Sequence, residues 1–350
     1  MKTASTPSLE IQVAFNITVY FGFEIMSKPL LRKSEARPRK ARLLFYDEIR
    51  ESTVGNAKTS MLTLMPSSCM AEVGLETAEV ESTFNAIGHP TANSWNTCLK
   101  SMLGWHNETI NIHSHTFGAA LFALLPFHFY YTLYQQTQDA QPIDAIVFIL
   151  YFIGVAICFI CSAGCHVVWT HSPPIASLGN RLDFCGIVIL MWGASLASIH
   201  FAFICDPWLR SLHWILVSAS ASGCVAFSLY PAFIKPAFRA MRAVMYASLG
   251  LFAVVFVLHG VYLYGFAVQR RRLALEWMAV MALLNLLGAM FYALRFPEAW
   301  FPYRFDFLGA SHQIFHVLVL AAGLVHYRGL ASAFVEVRGL HHTCEALSTY

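Results

Sequence analysis

Residues 143–169 read IDAIVFILYFIGVAICFICSAGCHVVW, and this run decides the class of the protein. Its only charged residue is Asp144, which lies next to its first residue. An α-helix needs about 20 apolar residues to cross the roughly 30 Å of hydrocarbon in a bilayer. The run is therefore predicted to form a membrane-spanning helix.

The composition of the whole chain agrees with this interpretation. Of its 350 residues, 57% are hydrophobic and 12% are charged, whereas about 25% are charged in a typical soluble domain. Residues 1–100 hold 21 Asp, Glu, Lys and Arg, and the 250 residues that follow hold only 22. A soluble fold of 250 residues could not cover its surface with so few charges, so we expect an integral, multi-pass membrane protein.

Seven apolar runs follow residue 115, separated by short connections that contain proline. We predict an all-α fold, a seven-transmembrane helix bundle, whose spans are 116–134, 143–169, 182–204, 212–234, 243–266, 274–294 and 309–330.

The distribution of Lys and Arg predicts the orientation, because the cytosolic side of a membrane protein carries the excess. Basic residues are concentrated in the N-terminal segment, while Arg270, Arg271 and Arg272 on the other side oppose the trend. We expect the N-terminus inside and the C-terminus outside, in the plasma membrane or an endomembrane. The predicted domains are a cytosolic, partly disordered segment (1–100), the membrane domain (101–340) and a short C-terminal tail (341–350).

Several classes of protein are disfavoured. A net charge of +3 is too small to indicate a nucleic-acid partner. A retinal-binding opsin needs a lysine within its bundle, and Lys235 only touches the end of the fourth predicted span. Most of the nine cysteines lie in apolar runs. They are therefore interpreted as small hydrophobic residues rather than as the disulfide framework of a secreted protein.

Four short polar motifs stand at the ends of predicted spans. They are NETINIHSH (107–115), SAGCH (162–166), RLD (181–183) and SHQIFH (311–316). Because successive spans alternate in direction, all four motifs lie at the same leaflet, whichever way up the protein sits. Ionisable groups within membrane helices are costly and usually functional. The motifs are therefore predicted to meet in a functional site.

The histidines of these motifs suggest a Zn²⁺ site. His312 and His316 are four residues apart and share a helix face, and His166 could supply a third nitrogen. Three histidines with one open position form a catalytic type of zinc site, in which the pKa of bound water falls to about 7. Asp183 could hold this water or act as a general base. Ser162, one turn before His166, could bond the water or a substrate carbonyl.

Each residue also has a simpler interpretation. A single membrane histidine is most often a packing residue, Asp183 could cap the third helix near Arg181, and Ser162 could bond its own helix backbone. His113 and His115 fit interfacial packing as well as a site. The combination of three histidines and an aspartate at one leaflet favours the metal. Three further histidines near the opposite leaflet are interpreted as structural: His200, His259 and His326.

The same motifs resemble those of the progestin and adipoQ receptor family. The resemblance covers about residues 84–330 and is carried by HNETINI at 106–112 together with the SAGCH, RLD and SHQIFH motifs. The 17 positions from His166 to Asp183 fit as well. Adiponectin receptors, fungal zinc-homeostasis proteins and bacterial hemolysin III proteins belong to this family, and we expect a fungal-type member.

The resemblance implies a zinc ion held by His166, His312 and His316 near the cytoplasmic side, with Asp183 contacting it through water. It also implies hydrolysis of a lipid amide of the ceramide type, to which Ser162 would contribute. The expected partners are therefore membrane lipids, with a ceramide or fatty acid as ligand. The resemblance names no extracellular protein ligand for this chain.

One stretch departs from the family pattern. YDEI at 46–49 is followed by an unfamiliar run, 50–83, before FNAIGHP at 84–90 resumes the pattern. We interpret this run as an insertion or as a gene-model error such as a retained intron, which sequencing of the transcript would distinguish.

Three functions remain open from the sequence. The first is a zinc-dependent lipid amidase that works as a receptor or metabolic sensor. The second is a signalling receptor, or a regulator of lipid or zinc homeostasis, in which zinc is purely structural. The third is a zinc or ion transporter. It is disfavoured because transporters usually place their sites near the bilayer midplane, whereas these ligands lie near one leaflet.

Overall fold

The computed structural model describes residues 94–234, 238–301, 304, 305, 307–339 and 344. The predictions for residues 1–93, including the departure at 50–83, lie outside the described residues.

The described residues form nine α-helices. They are α1 (Trp95–Ser101), α2 (Thr109–Phe129), α3 (Pro142–Val168), α4 (Pro173–Ala202), α5 (Pro207–Leu229), α6 (Arg239–Tyr264), α7 (Phe266–Leu273), α8 (Leu275–Leu294) and α9 (Ser311–Gly339). A π-helical turn, Tyr130–Tyr134, extends α2, and a 3₁₀ turn, Pro231–Ile234, follows α5. Seven of the helices are long and apolar enough to cross a membrane, namely α2–α6, α8 and α9. The predicted seven-helix fold is confirmed, and the chain is an integral, multi-pass membrane protein.

The third span begins earlier than predicted. Helix α4 starts at Pro173 rather than at 182, because prolines in the first helical turn need no backbone N–H donor. Pro173 and Pro174 therefore begin the helix and do not lie in the connection before it. Ser172 is the N-cap residue and Asp183 lies well inside the helix, so the interpretation of Asp183 as a helix cap is wrong.

The seventh span ends later than predicted, at Gly339 rather than at 330. The added turns contain the charged residue Arg338, and hydropathy alone therefore places the end of the span before it. The guanidinium of Arg338 donates two hydrogen bonds of 2.9 Å to the fully buried carboxylate of Asp144 on α3. The carboxylate neutralises the charge of Arg338, so the helix can continue through this residue.

Helices α2, α3 and α9 pack around an aromatic core. Its buried phenylalanines are Phe122, Phe129, Phe148, Phe152, Phe159 and Phe334, together with Phe201 from α4. A second apolar cluster joins α4 to α5 and α6. The aromatic core packs these three helices against one another.

Helices α3 and α4 approach each other closely through glycines. A Cβ atom added at Gly193 would lie 2.7 Å from the backbone oxygen of Leu150, and one added at Gly154 would lie 2.9 Å from that of Ile189. These distances leave no room for a side chain. The close approach holds the polar end of α3 in a fixed position against α4.

A buried polar cluster lies at the opposite end of the bundle. Besides Arg338, the carboxylate of Asp144 contacts Nε2 of His200 at 2.7 Å and accepts a 2.7 Å bond from the backbone N–H of Gln141. Nearby, Cys205 and Cys344 form a disulfide bond. The interpretation of cysteines as small hydrophobic residues therefore fails for this pair. Free thiols are found at Cys158, Cys161, Cys165, Cys185 and Cys224.

Candidate metal centre

Three histidines converge where α3 ends and α9 begins. Nε2 of His312 lies 3.2 Å from Nε2 of His166 and 3.2 Å from Nε2 of His316. His166 and His316 are buried and His312 is half-buried. Among the described residues, these three form the one group of His, Cys, Asp or Glu side chains close enough to share a metal ion. The structure thus brings together the three predicted ligands.

Glu108, directly before α2, and Asn111, in the first turn of α2, contact the Nδ1 atoms of His166 and His316. Nδ1 of His166 lies 2.8 Å from a carboxylate oxygen of Glu108, and Nδ1 of His316 lies 3.3 Å from the backbone oxygen of Asn111. Burial on its own would raise the pKa of Glu108. The charge and hydrogen bond of His166, together with a hydrogen bond from Asn111, outweigh it and keep this pKa below its ordinary value. Glu108 is therefore a carboxylate at neutral pH.

This arrangement fits a shared cation. The Glu108 carboxylate and the Asn111 carbonyl can only accept hydrogen bonds, so His166 and His316 each carry a hydrogen on Nδ1. A histidine that binds a metal has lost its second ring proton and is neutral, so in that state Nε2 carries no hydrogen. Their Nε2 lone pairs then point at Nε2 of His312, which holds at most one hydrogen. One hydrogen cannot serve two short contacts well, whereas one cation satisfies all three nitrogens. Two nitrogens bound to tetrahedral zinc lie about 3.3 Å apart, close to the separations found here.

The two predicted catalytic residues lie beside the histidines. Ser162, one turn before His166, is buried, and its hydroxyl lies near the carboxylate of Asp183 on α4. Asp183 and His166 are close enough to interact electrostatically.

Further buried polar groups surround the cluster. The ring of His115 stacks on His316 with centroids 3.7 Å apart, and neither of its nitrogens has a hydrogen-bond partner among the described residues. The side-chain oxygens of Asn107 and Asn111 are also buried without a described partner. Unpaired buried polar atoms are costly and usually have a functional explanation. Here they surround the site with polar atoms that remain available to a ligand.

The start of α9 is fixed by its own hydrogen bonds. Gln313 donates to the backbone oxygens of Asn107 and Phe307 at 3.1 and 3.0 Å, and the carboxylate of Glu298 accepts from the backbone N–H of Ser311 at 2.8 Å. These bonds join the first turn of α9 to the approach to α2. They hold His312 and His316 in place relative to Glu108.

Two other histidines at this end of the bundle, His113 and His171, do not enter the cluster. His113 bonds the backbone oxygen of Met102 at 2.9 Å, and His171 contacts the hydroxyl of Ser172 and the ring of Trp95. Glu108 is the residue whose role the sequence analysis did not identify. Its signal was available, because it is the acidic residue of the polar motif that precedes the first predicted span, at the same leaflet as the three histidines.

These features define a class of protein: a seven-span membrane protein with a buried histidine triad near one end of the bundle. The particular family follows from comparison with known proteins. Residues 103–327 match the family described as haemolysin-III related. The chain belongs to this family, the progestin and adipoQ receptor family, as predicted, and is adiponectin-receptor-like.

Named relatives come from several organisms. The chain is 37% identical over 73% of its length to the adiponectin receptor protein of Drosophila melanogaster, and spans 57% of that receptor. It is 32% identical over 67% of its length to the ADIPOR-like receptor IZH2 of Saccharomyces cerevisiae, covering 74% of it. It is 30% identical over 72% of its length to the ADIPOR-like receptor IZH1 of Eremothecium gossypii, covering 80% of it. The chain thus spans little more than half of the insect relative.

Proposed function

We propose that this protein is a zinc-dependent hydrolase of lipid amides of the ceramide type, acting within the membrane. One observation carries the proposal: three histidine Nε2 atoms from two helices face one another, with Ser162 and Asp183 beside them. The relatives above are named as receptors. We therefore propose that hydrolysis belongs to a receptor or metabolic sensor.

His166, His312 and His316 would hold the zinc ion. Zinc bound by three histidines acts as a Lewis acid and lowers the pKa of a water molecule to about 7. In the reaction, water adds to the amide carbon and the C–N bond breaks. The Asp183 carboxylate takes a proton from the attacking water and transfers it to the leaving nitrogen. The products are a fatty acid and the amine of a sphingoid base.

The surrounding side chains suit this task. Ser162 would donate to the nearby Asp183 carboxylate and so fix its direction. The unpaired atoms of Asn107, Asn111 and His115 offer donors and acceptors to the amide and hydroxyl groups of a ceramide. The lipid substrate is available from the bilayer in which the bundle lies.

The test combines metal analysis with a ceramide-hydrolysis assay on detergent-purified protein. The wild-type protein is expected to hold one zinc ion and to release fatty acid. Asp183→Asn should keep the zinc and lose about 10²–10⁴-fold in turnover, the usual contribution of a general acid–base group. Asp139→Asn, an exposed change in the α2–α3 connection, is the matched control and should leave turnover unchanged. Full turnover by Asp183→Asn would contradict the proposed role.

A structural zinc is the second candidate. It is favoured by the contacts among these residues, since a metal held by His166, His312 and His316 would cross-link α3 to α9 and, through Glu108, both to the start of α2. A protein that holds one zinc ion but does not hydrolyse ceramide would support this candidate over the first.

A further inference from the structure

Residues at the start of α2 contact two histidines of the triad through the ring nitrogens that face away from the other histidines. We propose that Glu108 is a positioning residue for the metal centre, and that with the backbone carbonyl of Asn111 it fixes which nitrogens face the ion. This inference rests on the proposed zinc site. It assigns a role to a residue that would not touch the ion.

The first step is the hydrogen bond from His166. Nδ1 of this ring lies 2.8 Å from the Glu108 carboxylate, and both side chains are almost buried, with exposed fractions of 11% and 13%. A carboxylate that accepts from the distal nitrogen of a ligand histidine fixes its tautomer and ring orientation and makes the ligand more basic. Glu108 therefore directs the Nε2 lone pair of His166 towards the cluster.

The second step is that one helical turn serves two ligands. Glu108 and Asn111 are three residues apart, and the backbone oxygen of Asn111 lies 3.3 Å from Nδ1 of His316. The two anchors therefore move as one body with the start of α2. They set the positions of one ligand from α3 and one from α9 relative to each other.

The third step is that Glu108 is itself held. The side-chain amide of Asn111 donates to its carboxylate at 2.7 Å, and its backbone N–H donates to Nδ1 of His106 at 3.2 Å. His106 in turn contacts the backbone oxygen of Ser101 at 3.0 Å. A carboxylate fixed on several sides loses little freedom when it orients a ligand. Its removal would leave the His166 ring free to rotate.

The experiment measures zinc affinity by competition with a chelator of known affinity, using the full-length protein in detergent. Glu108→Ala should weaken zinc binding about 10–100-fold, the usual effect of losing such a partner. Glu108→Gln should weaken it less, because its amide oxygen still accepts from Nδ1 but carries no charge. Glu276→Gln is the control, since Glu276 forms an exposed ion pair with Arg270, and it should bind zinc like the wild type.

A second readout separates positioning from loss of folding. Cobalt substituted for zinc should show an altered visible spectrum in Glu108→Ala, while the Tm of the metal-free variant should stay near that of the metal-free wild type. An affinity for Glu108→Ala within twofold of the wild type would overturn the inference. If that variant does not fold, an unchanged affinity for Glu108→Gln overturns it instead. A wild-type protein that binds no zinc would refute the metal centre itself.

Discussion

Nε2 of His312 lies 3.2 Å from Nε2 of His166, a residue 146 positions earlier in the chain. The same atom lies 3.2 Å from Nε2 of His316, so His312 is shared by both short contacts of the triad. The other two rings are held through Nδ1 by Glu108 and Asn111. His312 is therefore the ligand whose loss separates the remaining two most directly.

We predict that His312→Ala abolishes stoichiometric zinc binding. A ligand that binds only the folded state stabilises it by about 2.7 kcal/mol when its free concentration is about 100 times Kd. The wild-type Tm should therefore fall when a strong chelator removes zinc, and the Tm of His312→Ala should not change. Elemental analysis and thermal unfolding in detergent measure both effects.

The matched control is His259→Ala. His259 is a half-buried histidine on α6 that pairs with His213 and not with the triad. This variant should keep one zinc ion and a Tm that depends on the chelator. Unchanged zinc content in His312→Ala would rule out the ligand assignment.

Alternation of the spans predicted which motifs meet, and helical spacing predicted that His312 and His316 share a face. Both predictions need only the alternating direction of successive spans and the helical period of about 3.6 residues, and both can be obtained from the sequence. The partners of Glu108 and Asp144 were not predictable in this way. Hydropathy gives the number of spans but not their rotation about their axes, and it is this rotation that directs Glu108 at His166 and Arg338 at Asp144.

The ion pair between Asp144 and Arg338 should be a main determinant of stability. Removing one partner of a buried pair leaves an uncompensated charge and costs about 3–5 kcal/mol. We predict that Asp144→Asn and Arg338→Met each lower the unfolding free energy by an amount in this range. The double variant should lose clearly less than the sum of the two, because neither charge remains. The unfolding free energies of the wild type, the two single variants and the double variant, measured in detergent, form a double-mutant cycle that tests this coupling.

The exposed pair of Arg270 and Glu276 provides the comparison. Exposed ion pairs contribute about 0–1 kcal/mol, so Arg270→Gln should change the stability little. Additive losses in the Asp144 and Arg338 variants would show that the two groups are not coupled and would contradict the contact.

Glycine at 193 should be required for the packing of α3 against α4. An added methyl group would lie 2.7 Å from the backbone oxygen of Leu150, which cannot move away as a side chain can. Overpacking of this kind costs about 1–3 kcal/mol, so Gly193→Ala should lower the Tm. Gly223 on α5 has nothing within 4 Å of an added Cβ, and Gly223→Ala should be neutral or slightly stabilising. Equal effects of the two changes would contradict this packing.

The disulfide between Cys205 and Cys344 predicts the orientation of the protein. Disulfides persist in oxidising compartments such as the endoplasmic reticulum lumen and the cell exterior. The α4–α5 connection and the C-terminal tail should therefore face away from the cytosol, and the histidine triad, at the other end of the bundle, should face it. This agrees with the orientation expected from the Lys and Arg distribution.

Thiol labelling in sealed microsomes, whose outer face is cytosolic, tests this orientation. Cys205→Ser leaves Cys344 as a free, exposed thiol. It should react with a membrane-impermeant maleimide only after the membrane is permeabilised, since the lumen is otherwise closed to the reagent. The Cys205→Ser/Cys344→Ser double variant corrects for the remaining cysteines. Labelling of Cys344 in intact microsomes would contradict this orientation. It would place the tail in the cytosol and the triad on the lumenal side, because the disulfide and the triad lie at opposite ends of the same bundle.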